Sequence, residues 1–161
     1  MYFSLLLTFS AVAATLLGFI SVVFTLGRRS EGHINERERA ALWALLVSSF
    51  AALLLSMLVA SLIPTFPGNE IEVWRVGCAL AALPHLVGAA KNAREMVKDA
   101  GGFPRWAGIP ASLIGWSAGS ANVVAAIGYL PHHEAATFVM STLWMLVVTA
   151  LAFTFLLSTQ E

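Results

Sequence analysis

Chemistry in this sequence, if there is any, has to come from a few polar side chains set in apolar surroundings. Arg75, Cys78, Ala82, His85, Ala89 and Asn92 recur at alternating spacings of three and four, which puts them on one face of a helix. His85 lies ten residues beyond Arg75, about 15 Å along a helix axis and so near the middle of a bilayer. An imidazole at that depth can relay a proton, because it titrates near neutral pH. With Arg75 and Asn92 it would line a polar path for an ion or small solute. Pro84 has no N–H to donate to the carbonyl of Leu80, so a kink with a free acceptor is expected beside His85. The same stripe also suits packing: a neutral His85 bonded to a Ser or Thr of another helix, and Arg75 paired with Glu72 one turn away or snorkelling to the interface. Packing is the preferred reading, with a path along Arg75, His85 and Asn92 as its alternative.

Gly115-Trp116-Ser117-Ala118-Gly119 matches the Gly-x-Ser-x-Gly frame of serine hydrolases. That frame works on a strained turn between strand and helix, whereas this copy lies in a continuous apolar stretch. An intramembrane hydrolase using Ser117 and His85 is therefore the least favoured of three functional readings. Ala111, Gly115 and Gly119 recur every four residues, and Ala14, Gly18 and Ser21 follow a similar spacing near the N-terminus; small residues so placed let helices approach closely, within one chain or between chains. His132, His133 and Glu134, with Glu70 or Glu72, offer metal-ligand chemistry, but neighbouring residues seldom converge on one ion, and a solvated turn is preferred. No metal or cofactor is expected. Cys78 is the only cysteine, so an internal disulfide and a multi-thiolate metal site are excluded.

The elements that must position these residues are set by composition. Of the 161 residues, 58% are hydrophobic and 11% charged, against roughly a quarter charged in ordinary soluble domains. Residues 1–26, 40–63, 106–130 and 135–160 are free of Asp, Glu, Lys, Arg and His, and each is long enough to cross a bilayer core that needs about 20 apolar residues. The segment 72–98 is ambiguous, because its charge-free centre is short and holds Pro84 and His85. Charge decides it. Arg28, Arg29, Arg37 and Arg39 fall in the first loop and Lys91, Arg94, Lys98 and Arg105 follow the doubtful segment, while residues 64–71 and 131–134 carry no Lys or Arg. If the segment crosses, every basic loop lies on the cytoplasmic side. Tyr2, Trp74 and Tyr129 then meet the outer interface, and Trp43 and Trp106 the inner one.

The expectation is an all-α polytopic membrane bundle of about five transmembrane helices in one domain. The spans are near 2–26, 40–63, 73–92, 106–130 and 135–159, with the N-terminus outside and the C-terminus cytoplasmic. The first segment lacks the positive start of a signal peptide and reads as a permanent span. Asn35 and Asn69, each three residues before a Glu, are expected to cap helices. Nine Lys and Arg balance nine Asp and Glu, which leaves no global basic field for nucleic acid. Arg28, Arg29, Lys91, Arg94, Lys98 and Arg105 should instead meet anionic lipid headgroups on the cytoplasmic side. His85 is the one histidine placed within a span, too few for haem ligation across a membrane, and no carboxylate interrupts the four charge-free runs.

The run Ala13-Ala14-Thr15-Leu16-Leu17-Gly18-Phe19, continuing through Val22-Val23 to Leu26-Gly27-Arg28-Arg29 and then Glu38-Arg39, resembles a group of small bacterial multi-pass membrane proteins of unassigned activity. A fainter likeness sits at Trp74-Arg75. The resemblance covers roughly the first 40 residues. It implies a bacterial inner membrane and brings no activity or ligand with it. The function expected is a non-enzymatic accessory or assembly component of a membrane complex, as a homo-oligomer or beside another membrane protein. A small oligomeric channel or transporter comes second, and the hydrolase third.

Overall fold

The computed structural model describes residues 2–27, 36–98 and 105–158. They form α1 (Tyr2–Gly27), α2 (Glu36–Thr65), α3 (Glu70–Lys98), α4 (Arg105–Ala126) and α5 (Glu134–Ser158), with no strand among the described residues. Four helices are long and apolar enough to cross a membrane: α1, α2, α3 and α5, over Tyr2–Val22, Ala41–Thr65, Glu70–Val97 and Glu134–Thr154. The segment that looked ambiguous is thus one of the four, because α3 continues well past its short charge-free centre, for 29 residues in all. The charge-free run 106–130 is not one of them. It becomes α4, whose 22 residues include Gly108, Gly115, Gly119, Ser112, Ser117, Ser120 and Asn122; freedom from charge is not the same as apolarity.

Helix ends follow from local chemistry. Asn69 directly precedes α3, and its carbonyl accepts the amide of Val73 at 3.2 Å; Asn35 lies outside the described residues. α4 stops at Ala126, short of the expected 130, because Gly128 adopts φ 82°. The amide of Tyr129 bonds the Val124 carbonyl at 3.1 Å and that of Gly128 bonds Ala125 at 3.0 Å, the paired bonds of a Schellman stop. Pro131 and His132 then turn the chain, closed by the amide of His133 on the Leu130 carbonyl, with His132 at φ 67°.

α2 runs antiparallel to α3 and to α5, and α3 runs antiparallel to α4. Trp43, early in α2, lies beneath the ammonium of Lys91, late in α3; Asn92, late in α3, bonds Gly108 and Ser112, early in α4; and Ser48 of α2 bonds Thr149, late in α5. α2, α3 and α5 pack on one another, α1 covers α2 and α5, and α4 covers α3 and α5. The closest association is between α3 and α4, where Gly115 faces Ala89 and Gly119 faces Leu86.

The interior is made of small and hydroxylic side chains, among them Ala13, Ala52, Cys78, Ala81, Ser49, Ser56 and Thr142, with Phe138, Leu6 and Val59 as the larger buried residues. Large apolar residues face outward instead: Val87 and Leu113 are each 65% exposed and Met140 64%. Water would penalise such an exterior, whereas lipid tails solvate it as well as a protein core does. α1 buries Leu6, Phe9, Ala13 and Ile20. Ala14, Gly18 and Ser21, expected as a packing seam, lie on its exposed face, and a Cβ on Gly18 would meet nothing within 4 Å. Spacing alone therefore found small residues on α1 without finding the side that packs in this chain.

Candidate functional site

α3 presents its polar stripe to the bundle. Cys78, Ala82, His85 and Ala89 are buried, and Arg75 and Asn92 are half-buried at either end. The stripe does not act as one unit; it divides into two places of different chemistry.

At the N-terminal end, Arg75 bonds Glu72 through Nη1 at 3.0 Å, the partner expected from spacing. It also faces Glu134 of α5, with Nε 3.4 Å from Oε1, an ion pair whose alignment falls short of a hydrogen bond. Glu134 is 3% exposed, so the solvated turn expected at His132-His133-Glu134 holds for the two histidines alone. Its carboxylate sits in the first turn of α5, where the helix dipole favours an anion, and the guanidinium lies beside the C-terminal end of α4, where a cation is favoured. A Cβ on Gly128 would come within 2.8 Å of Arg75 Nη2, so this glycine both ends α4 and makes room for the guanidinium. Among the described residues no three His, Cys, Asp or Glu side chains are placed to hold a metal ion.

Between Arg75 and His85 the interior is filled. Val59, Cys78, Ala81 and Phe138 are all buried there and form part of one core with Trp74, and a Cβ on Gly77 would strike Val59 at 2.8 Å. Cys78 donates its thiol to the Glu134 carbonyl at 3.4 Å.

Towards the basic end of the bundle the packing loosens into a cavity of about 230 Å³ between α2, α3, α4 and α5. His85 lines it and is 6% exposed, with Nε2 buried and lacking any hydrogen-bond partner. The backbone of Ser141 on α5 lies beside the ring. Ser141 Oγ is bonded to the Phe138 carbonyl at 2.8 Å and lies 3.5 Å from Asn122 Oδ1. Asn92 fastens α3 to α4 through Nδ2, at 2.8 Å from both the Gly108 carbonyl and Ser112 Oγ, while its buried Oδ1 has no partner. On the α2 side, Ser48 and Thr149 share a hydrogen bond of 2.6 Å. At the rim, Lys91 Nζ lies 3.8 Å from Glu95 Oε1 and 4.9 Å from the centre of the Trp43 ring.

Ser117 is exposed and bonded to the Ile114 carbonyl of its own helix at 2.9 Å. The glycines on either side of it pack on α3, so Ser117 points away from His85 and the pair form no dyad. Ala111 is half-buried on the cavity wall, and Gly115 contributes to the same wall. Sequence reasoning passed over Asn122, Ser141, the Ser48–Thr149 link and the burial of Glu134. Asn122 carried a usable signal, since an Asn within a charge-free stretch seldom faces lipid; Ser141 and the Ser48–Thr149 pair carried none, because Ser and Thr also satisfy themselves on their own helix. No protein-family model, curated protein or solved structure matches this chain.

Proposed function

We propose that this protein is a non-enzymatic multi-pass component of a membrane complex, an accessory or assembly subunit, with no ion-conducting path of its own. The observation that carries this reading is the buried core between Arg75 and His85: a path along α3 would have to pass Val59, Cys78 and Phe138. The cross-helix polar contacts support it as well, because Arg75 with Glu134, Asn92 with Ser112 and Ser48 with Thr149 serve to join helices. Transport along Arg75, His85 and Asn92 remains the second reading, favoured by the cavity at His85.

The proposed arrangement has five spans, with the N-terminus outside and the C-terminus in the cytoplasm. α4 follows α3 along its length, from Asn92 with Gly108 at one end to Gly128 beside Arg75 at the other, as a crossing helix would. Apart from Arg75, the Lys and Arg of the described helices, among them Arg39, Lys91 and Arg94, belong to the opposite end, where anionic headgroups would meet them. A bacterial inner membrane follows from the likeness of the N-terminal span. Association with a second copy or another membrane protein would use the exposed face of α1 that carries Ala14, Gly18 and Ser21.

Reconstitution into liposomes tests the reading. Folded protein is expected to raise neither proton nor ion flux above that of protein-free vesicles, with His85→Ala and Arg75→Ala the same as wild type. Flux that either substitution changes would put transport first.

A further inference from the structure

Between α2 and α3, on the outside of the bundle, runs an apolar groove of about 650 Å³. Trp43, Phe50 and Leu58 of α2 mark one wall, and Leu80, Leu83 and Pro84 of α3 the other. All of them except the half-buried Pro84 are exposed. From Trp43 to Leu58 the groove extends about 22 Å along α2, more than the roughly 15 Å of hydrocarbon in one leaflet of a bilayer. An apolar wall accepts any apolar occupant, and it is the charge at one end that selects among them.

Both walls lead to cations at the same end of the bundle. Arg39 stands one turn before Trp43 on α2, and Lys91 two turns after Pro84 on α3, each on the helix face that lines the groove. The Lys91 ammonium lies 4.9 Å from the centre of the Trp43 ring, which holds it over the mouth of the groove. The Glu95 carboxylate beside it is 3.8 Å away, beyond hydrogen-bond distance, so the ammonium still has donors to offer. Arg94, one turn further along α3, is exposed as well, as is Arg39.

We propose that this groove holds one anionic phospholipid of the leaflet at the basic end, with an acyl chain between α2 and α3 and its phosphate on Lys91 and Arg39. A phospholipid meets both demands of the site: its chain covers the apolar walls, and its phosphate oxygens accept from the ammonium and the guanidinium. The boundary between chain and headgroup then falls at Trp43, the level at which an indole sits in a bilayer. Arg94 adds to the attraction for negative charge. A second copy of this chain crossing in the same orientation would bring its own Lys91 and Arg39 to the same level, and like charges would oppose it. The proposal rests on the basic end lying among headgroups, as in the arrangement above, and not on whether the protein conducts ions, so the flux measurement and the one below fail separately.

The test uses the full chain, delipidated in a non-ionic detergent and titrated with phosphatidylglycerol or with phosphatidylcholine of the same acyl chains, bound lipids being counted by native mass spectrometry. One phosphatidylglycerol per chain is expected to bind first, ahead of phosphatidylcholine. Lys91→Gln and Arg39→Gln should each weaken it about fivefold, the effect of one basic residue near an anionic surface. Arg105→Gln, which removes the same charge from the start of α4, should leave its affinity unchanged. Ala51→Phe adds bulk to the lining of the groove and should weaken both lipids; Lys91 and Arg39 are exposed, so their variants keep the test sound even if Ala51→Phe does not fold. Equal affinity for the two lipids, an Arg105→Gln variant that loses as much as Lys91→Gln, or a folded Ala51→Phe that binds like wild type would overturn the proposal. So would a lipid-free dimer that Ala51→Phe dissociates, since the groove would then belong to a second copy.

Discussion

At the residue scale, the largest energetic consequence lies with Arg75 and Glu134. A carboxylate that is 3% exposed is tolerable only beside a cation, and Arg75 is the cation the fold supplies. Arg75→Met is expected to destabilise the protein by about 2 kcal/mol. That is less than the roughly 3–5 kcal/mol of a fully buried pair, because the arginine side chain is still about one-third exposed. Adding Glu134→Gln should recover part of the loss by removing the stranded charge, a coupling that thermal unfolding of the two single variants and the double variant in detergent measures directly. A double variant as unstable as Arg75→Met alone would mean that the guanidinium matters by packing and not by charge. Gly128→Ala tests the same corner from α4. It should cost about 1–2 kcal/mol from the left-handed backbone alone, and more if Arg75 has to move.

At the element scale, the α3–α4 contact sets how tightly the bundle closes. A Cβ on Gly115 would lie 3.0 Å from the Ala89 Cβ, which is rigidly attached to the helix and cannot swing away. On Gly119 a Cβ would meet Leu86 Cδ2 at 2.6 Å and Leu86 Cγ at 2.7 Å, so the whole leucine side chain has to move. Gly115→Val is therefore expected to separate the helices and lower the unfolding temperature, by the roughly 1–3 kcal/mol typical of overpacking, and Gly119→Ala to be destabilising as well because Leu86 has to move. Gly18→Leu, on the exposed face of α1, should leave the unfolding temperature of the isolated chain unchanged or higher. If association uses that face, the same variant lowers the oligomer fraction in chemical cross-linking. Equal damage from Gly115→Val and Gly18→Leu would contradict the assignment of the two faces.

At the scale of the whole molecule, the question is how many helices cross. Labelling with a membrane-impermeant maleimide decides it in a Cys78→Ala background, with single cysteines introduced as His133→Cys and Arg94→Cys. Both positions are exposed and flank α4 in the chain, Arg94 late in α3 and His133 just before α5. The expected outcome is that His133→Cys reacts in intact cells and Arg94→Cys reacts only after permeabilisation. Labelling of both from one side would mean that α4 does not cross and that the bundle has four spans. The same pattern with the two sides exchanged would reverse the orientation argued from the basic loops.

Much of this architecture is a one-dimensional property, and so it was legible in the residues. Apolar length predicts helices, basic loops predict an end, and the recurrence of Arg75, Cys78, His85 and Asn92 predicts the face of α3 that turns inward, where the structure indeed buries or half-buries them. Each of these depends on contrast along the chain between polar and apolar, or charged and uncharged. Where contrast disappears, so does legibility. On α1 the buried face with Ala13 and the exposed face with Gly18 are both apolar, and lipid solvates either one, so only contact with α2 and α5 selected between them. The pairing of Arg75 with Glu134, the segregation of Ser117 from His85, and the cavity lined by His85 arise between helices distant in sequence. Periodicity assigns a residue to a side of its own helix, but the distance to another helix depends on how far apart side-chain volumes hold the two axes, and that is decided only when the whole bundle is packed.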